Sequence, residues 1–522
     1  MSETNSGKGM LLTAGFMAFA TFAAKALGQV RDSLMAAYFG AGVEADAFML
    51  ASKIPTTLFD VVIGGVISAS FIPIFNEILT KENEKEASRF ANKFITMIVI
   101  ATVFIALFGI VFARQLVHLM GPNASPETTE LAVKLTAIMF PMIIFTGIAF
   151  SFVGILQSYG EYNIPSIISL VSNVAIILYY IIFGKRFGVT GLAVTMIIAW
   201  SLQVLVQIPS LIKLKFRYRP DFHLRDRYIW SAVLLALPML VSTWVQPLYT
   251  LVNARFASGM EGAYASLEYA NRLYLIVTGV FSFVVTNLIF PKLSRANAGD
   301  NREEANALVM TSLKAIVIVI APLMTGIIIL AKPVTAIIYE HGALESSAVV
   351  AHALACYATG MIFLALNEII SKTFFSMKQS VIPMVTAIIS MVFNVLLVSA
   401  IYGLIKNDAM KLTGGLALAA AGGSFVNAAA NGIMLMKKCP GIVKREDVIS
   451  VIKVLVATAV MAAAVYPLYN IMDNRFDGLT GNILTCAVCG AAGAALYAVM
   501  VIVLRVKEIT GLLPVRKGGG KK

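Results

Sequence analysis

Long apolar runs alternate with short polar and basic connections along the whole chain. The runs lie near 10–38, 46–77, 90–112, 129–158, 164–184, 189–212, 228–255, 264–291, 305–331, 346–375, 381–405, 412–436, 448–471 and 481–504. Each is apolar over a length that can cross a bilayer, so the pattern predicts fourteen transmembrane helices. The strict alternation of a barrel strand is absent. The second run covers 32 residues, roughly 48 Å as a helix against a hydrocarbon core of about 30 Å. Such a helix must bend, tilt or project into water. Gly64 and Gly65 lie inside it and either permit a bend or let a neighbouring helix pack closely.

Composition points the same way. Of the 522 residues, 59% are hydrophobic and 13% charged, whereas soluble domains carry about 25% charge. The fold class expected is therefore an all-α polytopic membrane protein. The N-terminal MSETNSGKGMLLTAGFMAFA has one lysine before the apolar run and no convincing cleavage site before Lys25, so it reads as a retained first helix. Of the Lys and Arg in the connections, 26 fall on one side of the membrane and 8 on the other. This bias puts both termini in the cytoplasm. It also explains the net charge of +13 without a nucleic-acid partner. The basic tail RKGGGKK either contacts anionic membrane lipid or is a solvated tail.

The two halves repeat. Phe39 and Pro73 have counterparts in Phe256 and Pro291, at offsets of 217 and 218 residues. Ser169, Val171 and Asn173 match Ser390, Val392 and Asn394, and VTGLAV from Val189 echoes LTGGLAL from Leu412. Six helices per repeat is an even number, so both copies share one orientation. The expectation is an N-lobe over 1–220 and a C-lobe over 221–440 around a central cavity, as in an alternating-access transporter. Two extra helices and the basic tail occupy 441–522.

Charges inside the apolar runs are the candidate chemistry. The first repeat holds Lys25, Arg31 and Lys53, with Asp32, Asp46 and Asp60 as counter-ions; the second holds Glu268, Arg272 and Glu368. An ionised side chain at the centre of a membrane helix costs about 2.5–3.5 kcal/mol on insertion scales, so such a set should line a wet cavity. Paired ions that only join helices are the plainer alternative for any one of these residues. Pairing alone does not require so many on two matching hairpins. Arginine forks suit phosphate oxygens, so Arg31 and Arg272 suggest an anionic, phosphate-bearing substrate.

The run GQVRDSLMAAYFGAGVEADAFMLASKIP, followed by SASFIPIFNE and later EYANRLY, resembles the bacterial lipid II flippases of the MurJ (MviN) family. That family falls in the multidrug/oligosaccharidyl-lipid/polysaccharide exporter superfamily. The resemblance covers nearly the whole chain. It implies a transporter, not an enzyme, in the bacterial plasma membrane, whose cationic cavity takes the pyrophosphate of an undecaprenyl-linked peptidoglycan precursor. A groove from the last two helices would take the lipid tail, and cell-wall synthesis or division proteins are the implied protein partners. The family's cavity arginines carry over onto Arg31 and Arg272 and a basic first-helix position onto Lys25; Asp32, Asp46 and Lys53 also fall on matching positions. One departure stands out. After KxP the family reads a further arginine and then an acidic-glycine pair, whereas this chain has PTTLFDVVIGGV, with Phe59 and Asp60 near the arginine position and Gly64 in place of the acid. Lys53 could take over that arm only across a bend of about two helical turns.

Other chemistry is sparse. Cys486 and Cys489 form a CxxC inside an apolar span, where packing is the simpler role, and the four histidines show no metal-ligand spacing. No GxxxxGK[ST] loop is present, so no cofactor is expected and energy must come from Na⁺, H⁺ or the membrane potential. Gln246 and Asn394 offer oxygens where some relatives bind sodium, but such amides also serve as interhelical hydrogen-bond partners. Three functions are weighed. They are a flippase for lipid II or another polyprenyl-pyrophosphate glycan, a cation-coupled drug exporter, and an inactive cell-wall scaffold. A drug exporter of organic cations needs an acidic, aromatic cavity, and the basic set argues against it.

Overall fold

A computed structural model describes residues 3–59, 70–223, 225–234, 245–284, 293, 302–344, 347–377, 379–405, 408–476 and 478–506. Among these residues there is no strand. They form two compact units, Met1–Ala265 with His341–Glu345, and Ser266–Glu340 with Ser346–Lys522.

The first unit holds α1 (Glu3–Phe39), α2 (Val43–Phe59), α3 (Ile72–Lys81), α4 (Glu84–Val111), α5 (Ala113–Met120), α6 (Pro126–Met139), α7 (Met142–Ser158), α8 (Asn163–Leu205), α9 (Ile208–Lys213) and α10 (Val245–Ala257). It also takes the first turn of α11 (Ala263–Val284). Polar side chains cap the starts of two of these helices. Asn83 accepts from the Glu86 N–H ahead of α4, and Ser125 accepts from the Thr128 N–H ahead of α6, with Pro126 at the first helical position. Phe71 stacks on Phe75 and Phe90 and meets Phe94, which binds α3 to α4. Gly154 of α7 lets that ring come close, since a Cβ there would lie 2.7 Å from Phe71.

The second unit holds the rest of α11, then α12 (Arg302–Ile329), α13 (Ala331–Tyr339), α14 (Ala348–Ala358), α15 (Met361–Ser376), α16 (Val381–Leu404), α17 (Ala409–Lys438), α18 (Arg445–Asp473) and α19 (Gly478–Val503). Asp408 caps α17 through the Lys411 N–H. At the start of α18, Asp447 accepts from the Lys444 N–H and pairs with Lys314 of α12 at 2.8 Å.

Apolar side chains point outward. Phe104 and Val111 on α4 are 70% and 71% exposed and Leu396 on α16 is 66% exposed, while Thr102, Ser390 and Asn394 are buried. A distribution turned inside out in this way requires a lipid surround. Among the described residues, seven helical stretches are individually long and apolar enough to cross a membrane, and the bent pairs α6/α7 (42°) and α14/α15 (43°) raise the number to nine. One of the seven, α8 running on into α9, is 51 residues long. It folds back at Gly188, whose φ is +54°. Gln203 Nε2 therefore donates to Ser172 Oγ at 2.9 Å although the two are 31 residues apart, a separation of roughly 46 Å along a straight helix. This stretch is an antiparallel helix pair, as the separate runs near 164–184 and 189–212 predict. Parts of the second, seventh and eighth expected spans, with Asp60, Gly64 and Gly65, lie outside the described residues. The count of fourteen thus rests on the sequence.

Candidate functional site

Arg31 sits two turns before the end of α1, half-buried. Its Nε and Nη2 donate to Asp32 Oδ1 at 3.0 and 2.9 Å, and its Nη1 donates to Asn173 Oδ1 on α8 at 3.1 Å. Asn173 is fixed in turn, because its Nδ2 donates to the Ala24 carbonyl of α1 at 2.9 Å. A guanidinium has five N–H donors. Three are engaged here, so one remains on each terminal nitrogen. Among the described residues the arrangement is an oriented fork with two N–H groups left, a geometry that can pair with the oxygens of an anion such as a phosphate.

Lys25 lies half-buried on α1, and Lys53 half-buried on α2. Asp46 has a different employment. It is 3% exposed in the first turn of α2, and its two oxygens accept from the backbone N–H groups of Gly262 (2.6 Å) and Ala265 (2.7 Å). These are unsatisfied donors at the N-terminus of α11, where the helix dipole also favours an anion. Both glycine loops of this region press on the α1–α2 turn. Gly262 and Gly342 have φ of +74° and +63°, and a Cβ on them would come within 2.4 Å of the Ala41 carbonyl oxygen and 2.1 Å of the Ala37 carbonyl oxygen. The Ala343 N–H donates to that Ala37 oxygen at 2.7 Å.

In the second unit, Glu268 (5% exposed) and half-buried Arg272 lie one turn apart on α11. Glu368 of α15 lies 3.9 Å from Lys372, four residues on. Lys372 is thus a helical residue beside a candidate acid. Around α16 and α17 runs a buried polar ladder. Thr386 donates to Asn431 Oδ1, Asn431 Nδ2 donates to Asn367 and Asn427, and Ser390 donates to the Gly423 carbonyl. Asn394, one turn beyond Ser390, is fully buried, and neither of its amide atoms has a hydrogen-bond partner among the described residues. Gln246 belongs to α10; its side chain is outside the described set. One unmatched amide oxygen fits part of a sodium shell only, and no group of three or more His, Cys, Asp or Glu among the described residues could hold a metal ion.

The second unit also contains an apolar groove of about 530 Å³ between α12, α13, α18 and α19, with Pro322, Gly326, Val334, Met461, Val465 and Gly493 in its wall. The Tyr497 hydroxyl, at its rim, is turned onto the Ile318 carbonyl at 2.6 Å, which leaves the groove wall hydrocarbon-like.

A family model described as lipid II flippase MurJ matches residues 35–483. The chain belongs to the MurJ family. A probable lipid II flippase MurJ of Vibrio cholerae is 26% identical over 527 residues, covering 97% of this chain and 98% of that protein. One from Rickettsia prowazekii is 27% identical over 383 residues, covering 72% and 75%. The fold is also that of a solved lipid II flippase MurJ in an inward closed conformation, with a TM-score of 0.79, 24% identity and coverage of 94% and 99%. An inward-facing MATE family transporter of the MOP superfamily aligns with a TM-score of 0.67 at 15% identity, over 80% of this chain and 95% of that one. MurJ membership makes this a multi-pass membrane protein of a transporter family. The residues that sequence reasoning did not place in the site are Asn173, Lys372 and the two loop glycines. The only advance signal for Asn173 was its place in the internal repeat.

Proposed function

We propose that this chain moves a polyprenyl-pyrophosphate-linked peptidoglycan precursor, lipid II, from the cytoplasmic to the outer leaflet of the bacterial plasma membrane by alternating access. The observation that carries this reading is the MurJ family match over residues 35–483. The Arg31 fork, with two donors to spare, supports a phosphate group as the recognised part. Arg272, on the equivalent hairpin of the second repeat, is the second arginine proposed to recognise the phosphates, with Lys25 and Lys53 adding positive charge. The apolar groove between α12, α13, α18 and α19 has the lining a polyprenyl tail requires. Energy comes from Na⁺, H⁺ or the membrane potential.

A second reading keeps the mechanism and changes the glycan. It rests on Phe59, which stands near the position where the family carries a further arginine. Binding to the purified chain, measured side by side with lipid II, another polyprenyl-pyrophosphate saccharide and a lipophilic cation, separates these readings. Tightest binding is expected for lipid II and none for the cation; preference for the cation would reverse the proposal.

Both termini and the 213–227 connection face the cytoplasm in this proposal. A cysteine placed at exposed Arg219 (Arg219→Cys) is expected to resist an impermeant thiol reagent in intact cells and to react after the membrane is opened. Labelling from outside would invert the topology and the side on which substrate loads.

A further inference from the structure

Between α9 and a helical stretch over 227–234, the chain leaves the helical state and runs as a strap against α4. Its inner face is fastened. Phe216 is buried, Tyr218 and Thr96 share a hydrogen bond of 3.0 Å, and the N–H groups of Arg219 and Asp221 donate to Asn92 Oδ1 and Thr96 Oγ1, both at 3.1 Å. Lys93 pairs with Asp226 at 2.6 Å. Burial works against ionisation of Asp226, but Lys93 and two backbone N–H groups outweigh it and hold the carboxyl below the usual carboxylate range. The other acid of the strap, Asp221, is taken by the backbone N–H and ring of His223.

The outer face is therefore left strongly positive. Lys213, Lys215, Arg217, Arg219, Arg225 and Arg227 are all exposed, and none of them forms an ion pair among the described residues. Two aromatic rings stand out beside them, Phe222 at 70% and Trp230 at 61% exposure. Fixed cations interleaved with exposed rings are the composition of a surface that meets lipid headgroups. Phosphates pair with the cations, and the rings sit at the headgroup level.

A backbone detail shows that this charge is kept against local cost. At the end of α9 the Phe216 N–H bonds to the Leu211 carbonyl and the Lys215 N–H to that of Ile212, which puts Lys215 at the left-handed position of a Schellman motif, φ +57°. Glycine is the ordinary occupant there. Among the described residues only one other non-glycine has a positive φ, and it is Arg505, in the same position after α19. Each of these two strained cations lies in a basic run, Lys215 in 213–227 and Arg505 at the head of the C-terminal one.

We infer that residues 213–227, apart from Leu224, form a docking surface for the anionic phospholipid headgroups of the surrounding bilayer. The strap is anchored to α4 on one side and bound to lipid phosphates on the other, so it holds the ends of the two flanking spans at the membrane surface.

The test uses the full chain in nanodiscs with Trp200→Phe and Trp244→Phe, which leaves Trp230 as the single tryptophan of three. Its fluorescence is quenched with brominated phosphatidylglycerol or, at the same mole fraction, brominated phosphatidylcholine, in an otherwise phosphatidylcholine bilayer. Each cation near an anionic surface is worth about a fivefold change in partitioning, so the glycerol lipid is expected to be enriched at Trp230 about fivefold or more. High salt and replacement of the six cations by Gln should both abolish the excess. Lys215→Gly guards against a variant that fails to insert. It relieves the strained turn, so thermal stability should hold or rise while the enrichment falls by about fivefold. Both leaflets have one composition in a nanodisc, which makes the readout independent of topology and of the transported substrate. Equal quenching by the two lipids, or an excess that survives Lys215→Gly and the Gln variant, overturns the inference.

Discussion

Arg31→Ala is expected to weaken precursor binding by about one to two powers of ten, and Arg272→Ala by a similar factor. A hydrogen bond to a charged group contributes about 1.5–3 kcal/mol, and each 1.4 kcal/mol is about tenfold in affinity. Arg31→Lys should recover only part of the loss. A lysine keeps the charge, but it cannot reach Asp32 and Asn173 in one plane while presenting two further donors outward, as the guanidinium does at 2.9–3.1 Å. The same geometry warns of a confounding effect. Asp32 is 5% exposed, and Arg31→Ala takes two N–H donors from its carboxylate; breaking a buried pair costs about 3–5 kcal/mol. Adding Asp32→Asn to Arg31→Ala should therefore restore thermal stability and leave binding weak. If the single alanine variants stay folded and hold lipid II as tightly as the parent, the arginines are structural ions and the phosphate-binding reading is wrong.

How far the sequence could be read depends on what kind of partner each residue has. Arg31 and Asp32 are adjacent ions in an apolar run, so both were visible as candidates from spacing alone. Asn173, which completes the fork, is 142 residues away from Arg31, and nothing local in SLVSNVAI announces it. Asp46 was legible as a buried charge but not as a helix cap, because its partners are backbone N–H groups and backbone leaves no side-chain signature. What the sequence does carry at those places is glycine, and a glycine needed for its positive φ looks like any other until the turn is seen. Helix pairing followed the same logic. The apolar runs marked the crossings near 164–184 and 189–212, while the fold-back between them depends on one glycine, Gly188, with φ +54°. In α15 Lys372 stands one turn from Glu368, a pairing that shows only once the run is seen as a helix.

Loosening the contact between the α1–α2 turn and the loops at 258–265 and 341–344 is expected to shift the transport cycle as a whole. Asp46→Ala removes two charge-assisted bonds from the first turn of α11, for a loss of about 3 kcal/mol or more, which moves a two-state equilibrium by about two powers of ten. Asp46→Asn, which keeps an acceptor but not the charge, should fall between. Gly342→Ala acts by a different route to the same end. Its Cβ would meet the Ala37 carbonyl oxygen at 2.1 Å, a backbone atom that cannot rotate away, and φ +63° is itself unfavourable for alanine. The loop must then leave Ala37 and lose the 2.7 Å bond from Ala343. The readout is a cysteine pair, Gly42→Cys with Glu261→Cys, in a background without the four native thiols, since the Gly42 Cβ position lies 3.4 Å from Glu261 Oε1. In the otherwise unaltered chain the pair should crosslink readily, and the crosslinked protein should stop transporting. With Asp46→Ala or Gly342→Ala the yield should drop about tenfold or more. A crosslinked chain that still flips lipid at the normal rate would show that this end never has to open, and an undiminished yield in both variants would show that neither Asp46 nor the tight glycine turn keeps it shut.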